Sequence, residues 1–235
     1  KEIAAHEKTD AALQAAKEAA ESANRAKSRY VVGLSHELRT PLNAVSGYAQ
    51  LLERDPTIPE ARQPAIQSIR RSADYLSGLI DGLLDISRIE SGRLQVYSNE
   101  INLDEFLDQI VDIFETQARA KGLAFRPGRD RNLPAYVRTD EKRLRQILVN
   151  LLSNAVKFTD TGTVTFDARY RSQVATFTVT DTGSGIDEKH LGRIYEPFER
   201  GGTRDKPGLG LGLTITRLLV NTLGGDIAVK SRPGE

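Results

Sequence analysis

Ser35-His36-Glu37-Leu38-Arg39-Thr40-Pro41-Leu42 is the stretch on which the fold of the first part of the chain turns. It lies on a run of apolar or small residues, Val31, Ser35, Leu38, Leu42, Val45, Ala49 and Leu52, spaced alternately four and three apart. That is the period of one buried helical face. His36 stands just off the seam, beside a carboxylate and four residues before the Thr40 hydroxyl. Pro41 removes a backbone donor and crowds the preceding turn, so a bend near His36 is expected. Of the three histidines, His6 sits in an alanine-rich charged segment and His190 in a polar, turn-like one, so histidine chemistry falls to His36.

Upstream, Ala12, Ala16, Ala19, Ala23 and Ala26 repeat the same spacing as far as Tyr30. Alanine favours helix but buries little area, so residues 1–28 read as a connecting helix that pairs weakly by itself. Downstream, Asp55-Pro56-Thr57-Ile58-Pro59 ends the first helix, and a second seam follows at Ile66, Ile69, Ala73, Leu76, Ile80 and Leu83. Two helices joined by a short loop form an antiparallel hairpin, here over residues 29–94. Leu51, Leu79, Leu84 and Ile86 make the apolar stripe too wide for one partner. A dimeric four-helix bundle would cover it. The competing arrangement, a hairpin packed on its own chain's second domain, is weaker because that domain carries a core pattern of its own. Ile89-Glu90-Ser91-Gly92 closes the periodicity and marks the boundary.

Residues 95–235 change character. Asp104 to Ala120 reads as a helix with Asn102 as its cap and Lys121-Gly122 as its stop, and Asp140 caps a second helix reaching Phe158. Ala135 to Arg138 is a strand candidate, Thr163 to Tyr170 and Val174 to Asp181 alternate as a β-hairpin, a late helix covers Leu213 to Thr222, and Asp226 to Lys230 reads as a further strand. Helices and antiparallel strands in this order imply an α+β two-layer sandwich.

Composition narrows the function. The 235 residues are 39% hydrophobic and 28% charged, and 33 basic against 32 acidic side chains leave a net charge of +1. That provides no global field for nucleic acid or an anionic membrane. No run approaches the roughly 20 apolar residues that span a bilayer, so no direct membrane contact is expected of this segment. The absence of cysteine excludes disulfides and thiolate metal sites and suits the cytoplasm. Beginning at Lys1 and lacking methionine, the chain reads as a segment of something longer.

Three features of the second domain carry chemistry. Asn150, Asn154 and Lys157 are four and three residues apart on one helix, so they share a face, while Leu148, Leu151, Leu152 and Val156 point elsewhere. Amide oxygens with an ammonium suit a metal-bound polyphosphate, although such a stripe alone also reads as a solvated face. Asp181-Thr182-Gly183-Ser184-Gly185-Ile186 ends a strand with a carboxylate able to accept from an exocyclic amine, followed by glycines that permit close approach, or else it is an ordinary turn. Gly208-Leu209-Gly210-Leu211-Gly212-Leu213 runs into a helix whose first amides and dipole can hold phosphate. It lacks the preceding strand of a dinucleotide-binding fingerprint.

Taken in order, these stations resemble the transmitter core of sensor histidine kinases over essentially the whole chain. Ser35 to Leu42 is similar to that family's H box, Asn150 to Thr159 to its N box and Asp181 to Ile186 to its G1 box. Tyr195-Glu196-Pro197-Phe198-Glu199-Arg200 is similar to its F box, and Gly208 to Leu213 to its G2 box. The resemblance implies a dimerising phosphotransfer hairpin followed by an ATP-binding domain of the Bergerat type, shared with gyrase and heat-shock 90 ATPases, with an upstream sensor domain and any membrane anchor outside this segment. It implies Asn154 as the Mg²⁺ ligand, Asn150 and Lys157 at the phosphates, Asp181 on the adenine amine, and Gly183 and Gly185 shaping the adenine pocket. Gly208, Gly210 and Gly212 would close over the phosphates, Phe198 would anchor a lid from Glu199 to Pro207, and Arg204 and Lys206 would reach the γ-phosphate.

The implied reaction is ATP-dependent phosphorylation of His36, with Glu37 accepting the proton from the ring nitrogen that does not attack. The phosphoryl group would pass to an aspartate in a response-regulator receiver domain. Thr40 lies in a Glu-x-x-Thr arrangement associated in the family with dephosphorylating that partner, or it is simply a helix residue bonded to backbone. Two other readings are a catalytically silent dimeric scaffold and a stand-alone gyrase-like ATPase. The family adds one more strand after the position of Asp226 to Lys230, so an unpaired sheet edge is expected.

Overall fold

The computed structural model describes residues 14, 17, 35, 37–199 and 209–234. The connecting helix expected over 1–28 lies outside them apart from Gln14 and Lys17, both helical; His36, Arg204, Lys206 and Gly208 also lie outside. The chain divides into two compact units, Lys1–Leu94 and Gln95–Glu235.

In the first unit, helix α1 (residues 37–54) continues through Pro41, and α2 (Gln63–Glu90) follows a turn and a single 3-10 turn at Glu60–Arg62. The Asp55 carboxylate closes the turn by accepting from the Thr57 amide at 2.8 Å and the Thr57 hydroxyl at 2.6 Å. Three polar bridges, whose α1 members stand seven residues apart, set the antiparallel register. Arg39 Nη2 donates to Asp81 Oδ1 at 2.6 Å, Ser46 Oγ to Asp74 Oδ1 at 2.8 Å, and Arg70 Nε lies 2.9 Å from Glu53 Oε2, an ion-pair distance off the N–H direction. Exposed pairs of this kind contribute no more than about 1 kcal/mol each, so they select register more than they stabilise.

The seam expected on each helix resolves into two rows. Ser35, Ala49, Ile66, Ala73 and Ile80 are buried, whereas Leu38, Val45, Leu52, Ile69, Leu76 and Leu83 remain 40–51% exposed. One partner helix can cover only one of the two rows. At its C-terminus α2 stops at Gly92, whose φ of +65° turns the chain back so that the amides of Arg93 and Leu94 reach the Arg88 carbonyl.

In the second unit, β1 (Asn99–Asn102) pairs antiparallel with β3 (Tyr136–Thr139). A separate sheet has the order β2-β4-β5: β2 (Ala124–Arg129) runs parallel to β4 (Thr163–Arg171), which pairs antiparallel with β5 (Val174–Asp181). Helices α3 (Leu103–Ala120) and α4 (Glu141–Phe158) cover this sheet, followed by the short α5 (Glu188–Leu191) and by α6 (Gly212–Thr222). Alternation explains the layering. Val164, Phe166 and Ala168 of β4 are buried against Phe106, Leu107, Ile110 and Phe114 of α3 and Leu148 and Leu152 of α4. Asn102 and Asp140 cap α3 and α4 as expected, accepting from the Glu105 amide at 3.3 Å and the Arg143 amide at 3.0 Å.

Two strands escape the sequence reading and one expected strand does not form. The Pro127-Gly128 pair in β2 reads as a breaker, yet β2 is an edge strand, where a missing donor is tolerated. A Cβ on Gly128 would stand 2.1 Å from Asp167 Oδ1, so a side chain there would have to displace that carboxylate. β1 is only four residues long, too short for a period to register. Residues 225–230, expected to hold a strand over Asp226 to Lys230, have no regular structure. No described strand pairs with them or with the outer edge of β5, and a strand is defined by its ladder.

Candidate functional site

Helix α4 is the floor of the site. Leu144, Ile147, Leu148, Leu152, Ala155 and Val156 bury one side of it, and Asn150, Asn154 and Lys157 are half-buried on the other. Its C-terminal end is held by a residue that the sequence reading took only as a helix stop. Lys121 Nζ donates to the carbonyls of Val156 at 2.8 Å, Lys157 at 3.0 Å and Thr159 at 2.6 Å, with the Asp160 carboxylate 3.6 Å away. A cation there satisfies carbonyls left over by the helix and complements its dipole. The Lys157 ammonium lies 4.5 Å from the centre of the Phe158 ring.

The second glycine run meets α4 at Asn150. Asn150 Nδ2 donates to the buried Thr216 hydroxyl of α6 at 2.7 Å. Gly212, the first residue of α6, comes so close that a Cβ would stand 2.3 Å from Asn150 Oδ1. No side chain caps this helix, whose N-cap residue is the buried Leu211, and in its first turn the buried Thr214 hydroxyl has no hydrogen-bond partner among the described residues. Uncapped amides, an orphaned hydroxyl and a glycine where a side chain would intrude form a cradle suited to phosphate oxygens. Thr216 was missed by sequence reading, although its place four residues after Gly212 puts it on the same face.

Phe198 N donates to the Gly210 carbonyl at 2.9 Å, so the residues flanking 199–209 meet at a narrow neck. Gly210 has a φ of +67°, and a Cβ on it would stand 2.7 Å from the Phe198 carbonyl carbon. The Phe198 ring is 56% exposed, so what holds Phe198 at this neck is its main chain and not a buried ring. Tyr195 is tied to α6 by Arg217, whose guanidinium carbon is 4.9 Å from the ring centre, and burial raises the Tyr195 hydroxyl pKa. Arg193 Nε pairs with Glu196 Oε2 at 2.9 Å, and Glu199 is approached at 3.5 Å by both Arg193 and His190. His190 thus lies beside the ion pairs that Arg193 makes with Glu196 and Glu199.

The first glycine run meets the C-terminal end of α4. Asp181, at the end of β5, is half-buried and accepts from the Gly183 amide at 2.9 Å. A Cβ on Gly183 would stand 2.7 Å from both Asp181 Oδ1 and the Phe158 carbonyl oxygen, so the loop lies directly on the last turn of α4. Gly185 is backed by residues 231–234: a Cβ there would stand 2.0 Å from the Arg232 carbonyl oxygen, and Gly234 N donates to the Ser184 carbonyl at 3.1 Å. Glu37 and Thr40 are exposed on α1 in the first unit. Among the described residues no group of three or more acidic or histidine side chains forms a metal cage.

The geometry defines a helical hairpin joined to an ATPase-type α/β domain. Residues 26–92 match the His Kinase A (phospho-acceptor) domain, and residues 139–235 match the histidine kinase-, DNA gyrase B- and HSP90-like ATPase family. The chain belongs to the sensor histidine kinases, with their phospho-acceptor domain followed by their ATP-binding domain. It is 38% identical over 229 residues to the autoinducer 2 sensor kinase/phosphatase LuxQ of Vibrio cholerae, covering 94% of this chain and 26% of that protein. It is 37% identical to the hybrid signal transduction histidine kinase B of Dictyostelium discoideum, covering 92% of this chain and 11% of that protein. The crystal structure of full-length ShkA in complex with AMPPNP superposes with a TM-score of 0.75 at 34% identity, covering 88% of this chain and 43% of that one. The chain thus spans about a quarter or less of the length of these curated relatives.

Proposed function

We propose that this chain is the catalytic core of a two-component sensor kinase, which phosphorylates itself on His36 from ATP and passes the phosphoryl group to an aspartate of a response-regulator receiver domain. The observation that carries the nucleotide half is the docking of Gly212 and the uncapped first turn of α6 onto Asn150. Residues 1–28 would be the signalling helix, 29–94 the dimerisation and phosphotransfer domain, and 95–235 the catalytic domain.

In this reading Asp181 accepts from the adenine amine while Gly183 and Gly185 leave room for the base. The amides at Gly210 and Gly212 hold phosphate oxygens, with Gly208, Arg204 and Lys206 completing that side, and Phe198 fixes the neck below them. Asn154, with Asn150 and Lys157, would hold Mg²⁺ and the phosphates. The cation, when bound, neutralises charge between phosphoryl groups. His36 would attack the γ-phosphorus through one ring nitrogen as a neutral imidazole, the bond to the β,γ-bridging oxygen would break to release ADP, and Glu37 would take the proton released from the other ring nitrogen. Phosphoryl transfer depends mainly on positioning, which is why so much of the site is backbone and amide. Thr40 would orient water for hydrolysis of the aspartyl phosphate on the regulator, releasing inorganic phosphate.

The exposed rows of the hairpin support a homodimer. No described helix is long and apolar enough to cross a membrane, and the composition suits a cytoplasmic setting. The test is to incubate the protein with γ-labelled ATP and Mg²⁺, comparing wild type with His36→Gln and Asn154→Ala. Label on wild type alone is expected. Label surviving in His36→Gln would exclude that acceptor, phosphate release without protein labelling would favour a gyrase-like ATPase, and no turnover at all would favour a scaffold.

A further inference from the structure

Asp140 is the one charged side chain buried among the described residues, 4% exposed. It faces no cation at ion-pair distance among them, and both its oxygens are taken by backbone. Oδ1 accepts from the Arg143 amide at 3.0 Å, completing the N-cap of α4, and Oδ2 accepts from the Tyr97 amide at 2.9 Å. Tyr97 lies three residues beyond Leu94, where the hairpin unit ends, and two before β1 begins. A carboxylate is retained in an apolar setting only when such charge-assisted bonds offset its lost hydration. A cap alone requires one acceptor, and serine or asparagine would supply it. The second oxygen is therefore what an aspartate adds.

We propose that Asp140 is a positioning residue that couples the segment leaving the hairpin to the nucleotide helix, so that a displacement at Tyr97 reaches α4 as a rigid-body movement. The proposal rests on the kinase reading above and extends it. Helix α4 is a continuous 18-residue element, capped at its start by Asp140 and gripped at its end by Lys121. Asn150 and Asn154 lie between those two points and Lys157 at the second of them, so they move with the first turn.

Two variants of the full chain separate the two bonds. Asp140→Asn has a single acceptor oxygen, so cap and tether compete for it. Tyr97→Pro removes the donated proton and leaves the cap whole. In both, hydrogen exchange across residues 95–99 is expected to accelerate while α4 stays protected. Labelling of His36 is expected to slow about fivefold, with the Kd for a fluorescent ATP analogue within about twofold of wild type. Unchanged labelling in both variants overturns the proposal. So does a Kd that weakens in step with the labelling rate, since that marks Asp140 as a fold residue alone. Failure of the wild type to label would overturn the kinase reading instead, and the exchange measurement would still decide the tether.

Discussion

Two glycines of the second run differ in what a methyl group would meet, and so in what a substitution would do. At Gly212 the obstacle is the end of a flexible side chain, Asn150 Oδ1, which can rotate away at the loss of its bond to Thr216. Gly212→Ala is expected to change stability by less than about 1 kcal/mol and to weaken ATP-analogue binding about tenfold, because Asn150 leaves its place. Urea unfolding and a nucleotide titration on the same sample check both halves. At Gly210 the obstacle is the main chain of Phe198, and the residue sits at a φ of +67°. Gly210→Ala is expected to destabilise by about 1–3 kcal/mol as well as weaken binding. A Gly212→Ala protein that binds nucleotide as wild type does would remove Asn150 from the phosphate site. The pattern Gly-x-Gly-x-Gly is plain in the sequence, but which glycine avoids a side chain and which avoids the backbone depends on neighbours 12 and 62 residues away.

Among elements, the β4–β5 hairpin illustrates how a period can be legible while its turn is not. Alternation marks both strands, yet the turn residues Ser172 and Gln173 both adopt positive φ, 49° and 65°, which asparagine and glycine accept far more readily. Ser172→Asn with Gln173→Gly should stabilise the second unit by about 1 kcal/mol, read as a raised thermal midpoint. The hairpin loop of the first unit supplies a pH prediction. The Thr57 side-chain bond, then its amide bond, lower the Asp55 pKa from 3.8. A depressed carboxylate contributes stability above its unfolded pKa and loses it as pH falls through the folded value. Thr57→Val keeps the amide bond only, so the Asp55 titration followed by NMR should move up toward 3.8. An unmoved titration would assign the depression to the amide alone.

For the whole molecule, the two rows on the hairpin matter most. The exposed row of Leu38, Val45, Leu52, Ile69, Leu76 and Leu83 runs the length of both helices, and covering apolar area is worth about 25 cal/mol per Å². Val45→Glu with Leu76→Glu should convert a dimer to monomers in sedimentation, with the helical content of the second unit unchanged. Persistence of the dimer would locate the interface elsewhere.

The sequence by itself determined the helical seams, the caps at Asn102 and Asp140, the alternation of β4 and β5, and the candidate chemistry at His36, Asn154, Asp181 and the glycine runs. These are local properties: a period, a cap or a turn depends on residues within a few positions of one another. Tertiary structure decided what distance in the chain hides. It split each seam into a buried and an exposed row, made an edge strand of a Pro-Gly segment, and left residues 225–230 without a ladder partner among the described residues. It also set Thr216 under Asn150, Lys121 on the end of α4 and Tyr97 on Asp140. Each of those is a hydrogen bond across 35 to 66 residues, and a polar side chain has no local period by which its distant partner could be read.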